Sequence, residues 1–342
     1  MATASASSRK VIYAALLGNF LVAVTKFGAS LFTGSSAMMS EAVHSLVDTG
    51  NEVLLLYGLR RAALPPDARH PLGYGRELYF WSFIVALLIF ALGAGVSIYE
   101  GIGHILAPHP ITDPIVNYVV LGLAMLFEGV SWWIALREFR AAKGGMGYFE
   151  AIRRSKDPPG FMVLLEDSAA LIGLWIALIG TVASVTLDMP VLDGLASIAI
   201  GLLLGLTAVF LARETKGLLI GEGAGPALSD AICGIVARQP GIAQAAGLFT
   251  VYLAPQQMVV GLGVDFDEGL SARAAEAVMA AAEQAVKRAH PEVIALLVRP
   301  QHPAAADNAA CGEGEAAARG RSARVPRSVA LRRRGMFGVS ED

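Results

Sequence analysis

Apolar residues fall in six long blocks, roughly 11–33, 37–59, 78–106, 115–136, 161–187 and 191–212, separated by short polar connections. Each block is long enough for a helix to cross about 30 Å of hydrocarbon, which takes about 20 residues. The pattern therefore predicts six transmembrane helices. The first block follows Arg9 and Lys10, but it is too long for a signal peptide and five more spans follow, so it is read as a span that stays.

After residue 217 the texture changes. "ALSDAICGIVARQPGIAQ" predicts a short amphipathic helix ended by Pro-Gly. "GLFTVYLAPQQMVVGLGVDFDEG" predicts two strands with a turn near Pro255-Gln256, and "SARAAEAVMAAAEQAVKRAHP" an Ala-rich helix capped by Ser271 and stopped at His290-Pro291. "EVIALLVRP" predicts a last strand. The order helix-strand-strand-helix-strand is a small α+β unit. The expected organisation is a segment 1–10, a six-helix membrane domain 11–216, an α+β domain 217–302 and a disordered tail 303–342, where no period survives. The Arg332, Arg333, Arg334 cluster in that tail is read as solvated rather than lipid-binding.

Composition supports the membrane reading: 55% of the 342 residues are hydrophobic, 16% are charged, and the mean hydropathy is +0.56. A soluble domain carries about 25% charged residues. Basic residues crowd alternate connections: Arg9 and Lys10; Arg60, Arg61, Arg69 and Arg76; Arg137, Arg140, Lys143, Arg153, Arg154 and Lys156; then Arg213 and Lys216. The opposite connections, "TGSS", "APHPITDP" and "LDMP", hold none. The positive-inside rule then places both termini in the cytoplasm or its topological equivalent, such as a mitochondrial matrix. The bacterial inner membrane is the expected location, with a mitochondrial membrane as the alternative. A net charge of −2 gives no support for nucleic-acid binding, and two cysteines, Cys233 and Cys311, give no disulfide framework or cysteine-rich metal site.

Within the second block, "SEAVHSLVDTG" carries Glu41, His44 and Asp48. Positions four apart share a helix face, so His44 and Asp48 point the same way, and an imidazole with a carboxylate on one face is a pair of metal ligands. The fifth block supplies Glu166 and Asp167 in "FMVLLEDSAALIGLW". Ionisable residues at such depth are costly and mark pathways. His44, Asp48 and Asp167 are expected to close around one divalent cation, with Glu166 or water completing the shell. Adjacent helical positions diverge by about 100°, so Asp167 is taken as the ligand first and Glu166 as a fourth ligand, an orienting partner or a proton carrier.

Other polar positions have weaker assignments. Glu41 either hydrogen-bonds the His44 ring or lines the outer mouth; Glu128 is a proton-relay or packing residue; Asn19 and Asn51 bridge helices; Lys26 pairs with a carboxylate or snorkels.

These residues carry a resemblance. "AVHSLVDTGNEVLLL" resembles the His-x-x-x-Asp second span of cation diffusion facilitators, and "PPDARHPLGYGRELYFW" resembles the Asp-x-x-His-x-x-Gly-x-Gly loop that follows it there. "VLLEDSAALIGL", with Val163 where most members place His or Asp, looks like the branch that includes the animal mitochondrial zinc transporter. The resemblance implies a ferredoxin-like cytoplasmic domain that forms a homodimer. It also implies a proton-coupled secondary transporter, not an enzyme, that moves divalent metal out of the cytoplasm by alternating access and has no prosthetic group. In the loop, Asp67 and His70 match the family's metal ligands, but Tyr74 replaces the second His, so no tight site is expected. The α+β domain lacks the His and Asp of a metal sensor; His290 and His302 are read as solvated.

Zn²⁺ is chosen from the His44 ligand over Mn²⁺, Fe²⁺, Co²⁺ or Cd²⁺, which accept similar shells. Two rival classes exist. An intramembrane metalloprotease needs an HExxH run, which is missing. A six-span scaffold or receptor would use the same buried polar groups only to pair helices.

Overall fold

The computed structural model describes residues 6–301. The tail 303–342 with its arginine cluster, His302 and the first residues of the segment 1–10 lie outside the described residues. The described residues fall into two compact units, one running to Glu222 and including Tyr252–Gln257, the other comprising Gly223–Val251 and the described residues from Met258 onward.

In the first unit every predicted block is helical: α1 Ala6–Thr33, α2 Ser36–Ala62, α3 Arg76–Leu88 continuing through a π-helical turn at Ile89–Ala94 into α4 Gly95–Leu106, α5 Pro114–Lys143, α7 Pro158–Thr186 and α8 Val191–Ile220. Four of these segments, Arg76–Leu106, Pro114–Lys143, Pro158–Thr186 and Val191–Ile220, are long and apolar enough to cross a membrane. The described part of α1 contributes a shorter apolar stretch, Asn19–Thr33. By composition, then, four of the six expected spans qualify outright; α2 carries the ionisable residues that dilute its hydropathy. Two helices outrun their apolar blocks: α5 reaches Lys143 and α8 reaches Ile220. A short helix not expected from the sequence, α6 Tyr148–Arg154, follows α5. Hydropathy reports where lipid begins, and a helix can continue past that point on its own hydrogen bonds.

Local signals set the helix starts. Proline opens α5 and α7, where its missing N–H costs nothing. Gly34, at φ 71°, makes the tight turn between α1 and α2, and Ser35 caps α2 by accepting from the Met38 N–H at 3.1 Å. Close packing of α4 on α8 depends on small residues: a Cβ at Gly101 would stand 2.7 Å from the Gly194 carbonyl oxygen, and one at Gly201 would stand 3.0 Å from that of Ala94. The outward face of α5 is apolar, with Leu126, Phe127, Val130, Trp133 and Ile134 all exposed as a lipid-facing helix requires.

The second unit follows the expected order: α9 Pro226–Ala237, β1 Ile242–Ala254, β2 Gln257–Phe266, α10 Ala272–Ala289 and β3 Val293–Pro300. Residues Pro255 and Gln256 turn, Ser271 caps α10 by accepting from Ala274 N–H, and His290 ends that helix. The sheet order is β1-β2-β3, with β2 parallel to β3 from Val259 against Ala295 to Val264 against Pro300. Cys233 on α9 is buried.

Candidate metal centre

The site begins with how α2 is anchored. Asp193, on the first turn of α8 and fully buried, accepts from Ser35 Oγ at 2.8 Å, Ser36 N–H at 2.6 Å, Ser36 Oγ at 3.0 Å and Ala37 N–H at 3.2 Å. A carboxylate from a neighbouring helix thus satisfies the free N–H groups of the α2 N-terminus and meets the positive end of its dipole. Ser40 and Ser197 share a hydrogen bond at 2.6 Å one turn further along.

That anchor fixes the orientation of α7. The N-termini of α2 and α8 are neighbours, and only the short turn after Thr186 separates the α7 C-terminus from α8. The two packed helices α2 and α7 therefore run antiparallel. Their register is given at one point: a Cβ on Gly173 would stand 2.4 Å from Glu41 Oε1. Seven residues are two helical turns and return to nearly the same face. Moving seven forward on α2 and seven back on α7 sets Asp48 opposite Glu166.

Along α2, His44 Nδ1 lies 3.3 Å from Asp48 Oδ1, within ion-pair distance but without hydrogen-bond alignment. His44 is 1% exposed and neither ring nitrogen has a hydrogen-bond partner. Across from Asp48, Glu166 is buried and its Oε1 is equally unpartnered. Asp167, the ligand favoured by the sequence, turns instead toward α5, where Ser131 Oγ donates to its Oδ2 at 2.9 Å. Beside it Trp132 Nε1 donates to Ser168 Oγ at 3.0 Å, so α5 holds α7 at two successive residues. The divergence of adjacent helical positions thus assigns Glu166 to α2 and Asp167 to α5. Among the described residues no three His, Cys, Asp or Glu side chains stand close enough to hold one ion together.

The flanking positions separate clearly. Glu41 does not reach the His44 ring; its Oε2 pairs with Lys26 of α1 at 3.3 Å, and Lys26 also donates to Ser45 Oγ at 2.7 Å. Asn19 donates to Glu52 Oε1 at 2.6 Å, joining α1 to α2. Glu52 was not singled out from sequence; its spacing four residues past Asp48 was the available signal. Asn51 is fully buried with both amide atoms unpartnered, and Glu128 is half-buried on α5, one turn from Ser131.

In the loop, Asp67 serves a turn. Its Oδ1 accepts from the N–H groups of Arg69 and His70 at 2.9 and 2.7 Å, and its Oδ2 from the Tyr74 hydroxyl at 2.7 Å. The Tyr74 bond, then the His70 N–H, hold the Asp67 carboxyl below its ordinary range, and the same bond raises the Tyr74 hydroxyl. His70 Nδ1 stands 3.4 Å from Asp67 Oδ1, with both side chains half exposed. In the second unit, His290 Nδ1 lies 3.5 Å from Glu292 Oε1.

Four helices of membrane-crossing length, in one unit with buried, unpartnered imidazole and carboxylate atoms, are the build of a polytopic membrane protein. Residues 12–220 match the cation efflux transmembrane domain, and the chain belongs to that family, the cation diffusion facilitators, whose members are transporters rather than enzymes. It is 39% identical over 217 residues to metal tolerance protein C4 of Arabidopsis thaliana, covering 63% of this chain and 48% of the relative. It is 33% identical over 260 residues to the mitochondrial proton-coupled zinc antiporter SLC30A9 of Homo sapiens, covering 75% of this chain and 46% of that protein. The cation-efflux pump FieF of Shigella flexneri is 24% identical over 290 residues, covering 83% and 89%. The chain spans about half the length of the first two relatives.

Proposed function

We propose that this chain exports divalent cations, Zn²⁺ foremost, from the cytoplasmic side in exchange for protons, by alternating access at a site between α2 and α7. In this reading all six long helical segments cross the bilayer and both termini are cytoplasmic. The membrane is a bacterial inner membrane or its mitochondrial counterpart.

The ligands are His44 and Asp48 from α2 and Glu166 from α7, with Asp167 joining when α7 rotates or when Ser131 releases it. The observation that carries this is the antiparallel register setting Glu166 opposite Asp48, with the nitrogens of His44 and Oε1 of Glu166 buried and unpartnered. Such atoms in a lipid-length bundle are stabilised by a cation or by protons, and little else is available there. Imidazole and carboxylates must be deprotonated to ligate, so metal loading releases protons and proton uptake expels metal. Closing the shell requires the α2 and α7 rows to approach, and that approach is the step an arriving dication drives. Asn19, Asn51 and Glu128 surround the ligands as orienting or proton-relay groups, Glu41 stands beside them paired with Lys26, and Asp67 with His70 hold a turn rather than a metal.

The α+β domain is read as ferredoxin-like and as the homodimer interface. A Cβ on Gly261 would fall on the Phe249 ring, and Leu297 is the register partner of Gly261. Phe249 and Leu297 thus share one sheet face, and both are more than half exposed. An apolar face of that kind suits a second copy.

The test is uptake of Zn²⁺, Mn²⁺ and Fe²⁺ into proteoliposomes under an imposed pH gradient, using the natural chain and the Asp48→Ala, Glu166→Gln, Asp167→Ala and His44→Asp variants. Gradient-dependent Zn²⁺ accumulation is expected in the natural chain, falling to background with Asp48→Ala and at least about 10-fold with Glu166→Gln. His44→Asp shifts preference toward Mn²⁺. Equal flux in all variants removes the site. A scaffold or receptor passes no zinc at any gradient.

A further inference from the structure

The ion pair beside the site does not take part in ligation as described, yet it is placed where it governs ligation. Lys26 and Glu41 are both 0% exposed. The ammonium bonds Ser45 Oγ as well as Glu41 Oε2, so it lies across the turn of α2 that also carries His44. Glu41 Oε1 has no hydrogen-bond partner and lies against Gly173, the one position on that stretch of α7 where the absence of a side chain leaves room for it. Glu41 and His44 are three residues apart on one helix face, the spacing at which a carboxylate and an imidazole can share an ion. A divalent cation reaching His44 therefore meets two carboxylates at one-turn distance, Asp48 on one side and Glu41 on the other, and only Glu41 is already neutralised.

We infer that Lys26 is a tethered counter-cation that occupies Glu41 and so prevents the carboxylate from becoming a ligand of the transported ion. This rests on His44 and Asp48 being the ligands. Without Lys26, a dication bridging Glu41 and His44 gains a further carboxylate and is held too tightly to leave. The lysine keeps binding weak enough for turnover and confines the ion to the Asp48 and Glu166 side. Ser45 holds the ammonium in place, and Gly173 lets Glu41 reach it.

Zn²⁺ affinity and Zn²⁺ flux, measured on the purified full chain in detergent and in proteoliposomes, test the inference. Lys26→Met is expected to bind Zn²⁺ at least tenfold more tightly while its flux falls at least tenfold. The double variant Lys26→Met with Glu41→Gln, which leaves no buried charge unpaired, returns the affinity to within threefold of the natural chain. Lys26→Met with unchanged affinity overturns the inference. If Lys26→Met does not fold, the double variant decides alone: an affinity within threefold of the natural chain upholds a non-ligand Glu41, and a tenfold loss makes Glu41 a ligand and overturns it. Asp48→Ala, measured beside them, keeps the two readings apart. Loss of Zn²⁺ binding there upholds the ligand assignment whatever the lysine variants show, and unchanged binding overturns both.

Discussion

Asp67, at a position that matches a family metal ligand, holds a turn in the loop. Its carboxylate accepts from Tyr74, His70 and Arg69 at once, which holds its carboxyl below the usual value. A folded-state value lower than the unfolded one stabilises the loop above the ordinary carboxylate range, about pH 4, and that stabilisation is lost as pH falls through the lowered value. Titration of the labelled Asp67 carboxyl by NMR is expected to give a midpoint below that of the unfolded chain, and Tyr74→Phe to move it up; an unchanged midpoint in Tyr74→Phe would show that the hydroxyl bond is not its cause. The sequence made His44, Asp48, Glu166 and Asp167 visible because charge stands out in an apolar block. It hid Ser131, which is neutral and small, and Glu52, which near a span end looks like an ordinary surface charge. It did not show that Asp167 bonds Ser131 of α5 while Glu166 faces α2, because which neighbour each meets is set by packing register.

At the scale of elements, the N-terminus of α2 is held by a residue 156 to 158 positions away. Nothing in the local sequence announces such a cap, because the usual signal is a side chain adjacent to the helix and here Ser35 supplies only part of it. Asp193→Ala leaves the Ser35 and Ser36 hydroxyls and two N–H groups without their acceptor. The cost is about 3 kcal/mol or more, given about 1.5–3 kcal/mol for a hydrogen bond to a charged group. Thermal unfolding in detergent is expected several degrees lower for this variant, with Zn²⁺ affinity of the folded fraction near that of the natural chain. An unchanged midpoint would mean that solvent or lipid headgroups replace Asp193. Helix existence was legible throughout, whereas the ends of α5 and α8, the π-helical turn and α6 were not, since each reflects packing or backbone continuation rather than hydropathy.

For the whole molecule, the α+β order was legible from alternating strand patterns and turn residues, and β2 with β3 pairs in the parallel sense that a helical crossover demands. On the homodimer proposed above, with the apolar face of Phe249 and Leu297 as its interface, the natural chain runs as a dimer and Phe249→Asp with Leu297→Asp as a monomer in size-exclusion chromatography with light scattering; a monomeric natural chain overturns the proposed dimer. A dimer that survives both changes locates the interface elsewhere. One more consequence follows from Asp193. If α2 tilts to admit or release its cargo, the pivot is at the end riveted to α8, and displacement grows with distance from that rivet. His44, nearer the fulcrum, then travels least and Glu52 most, so the swing is widest at the mouth far from the rivet, and the opposite mouth opens only if α2 and α8 move together as one lever.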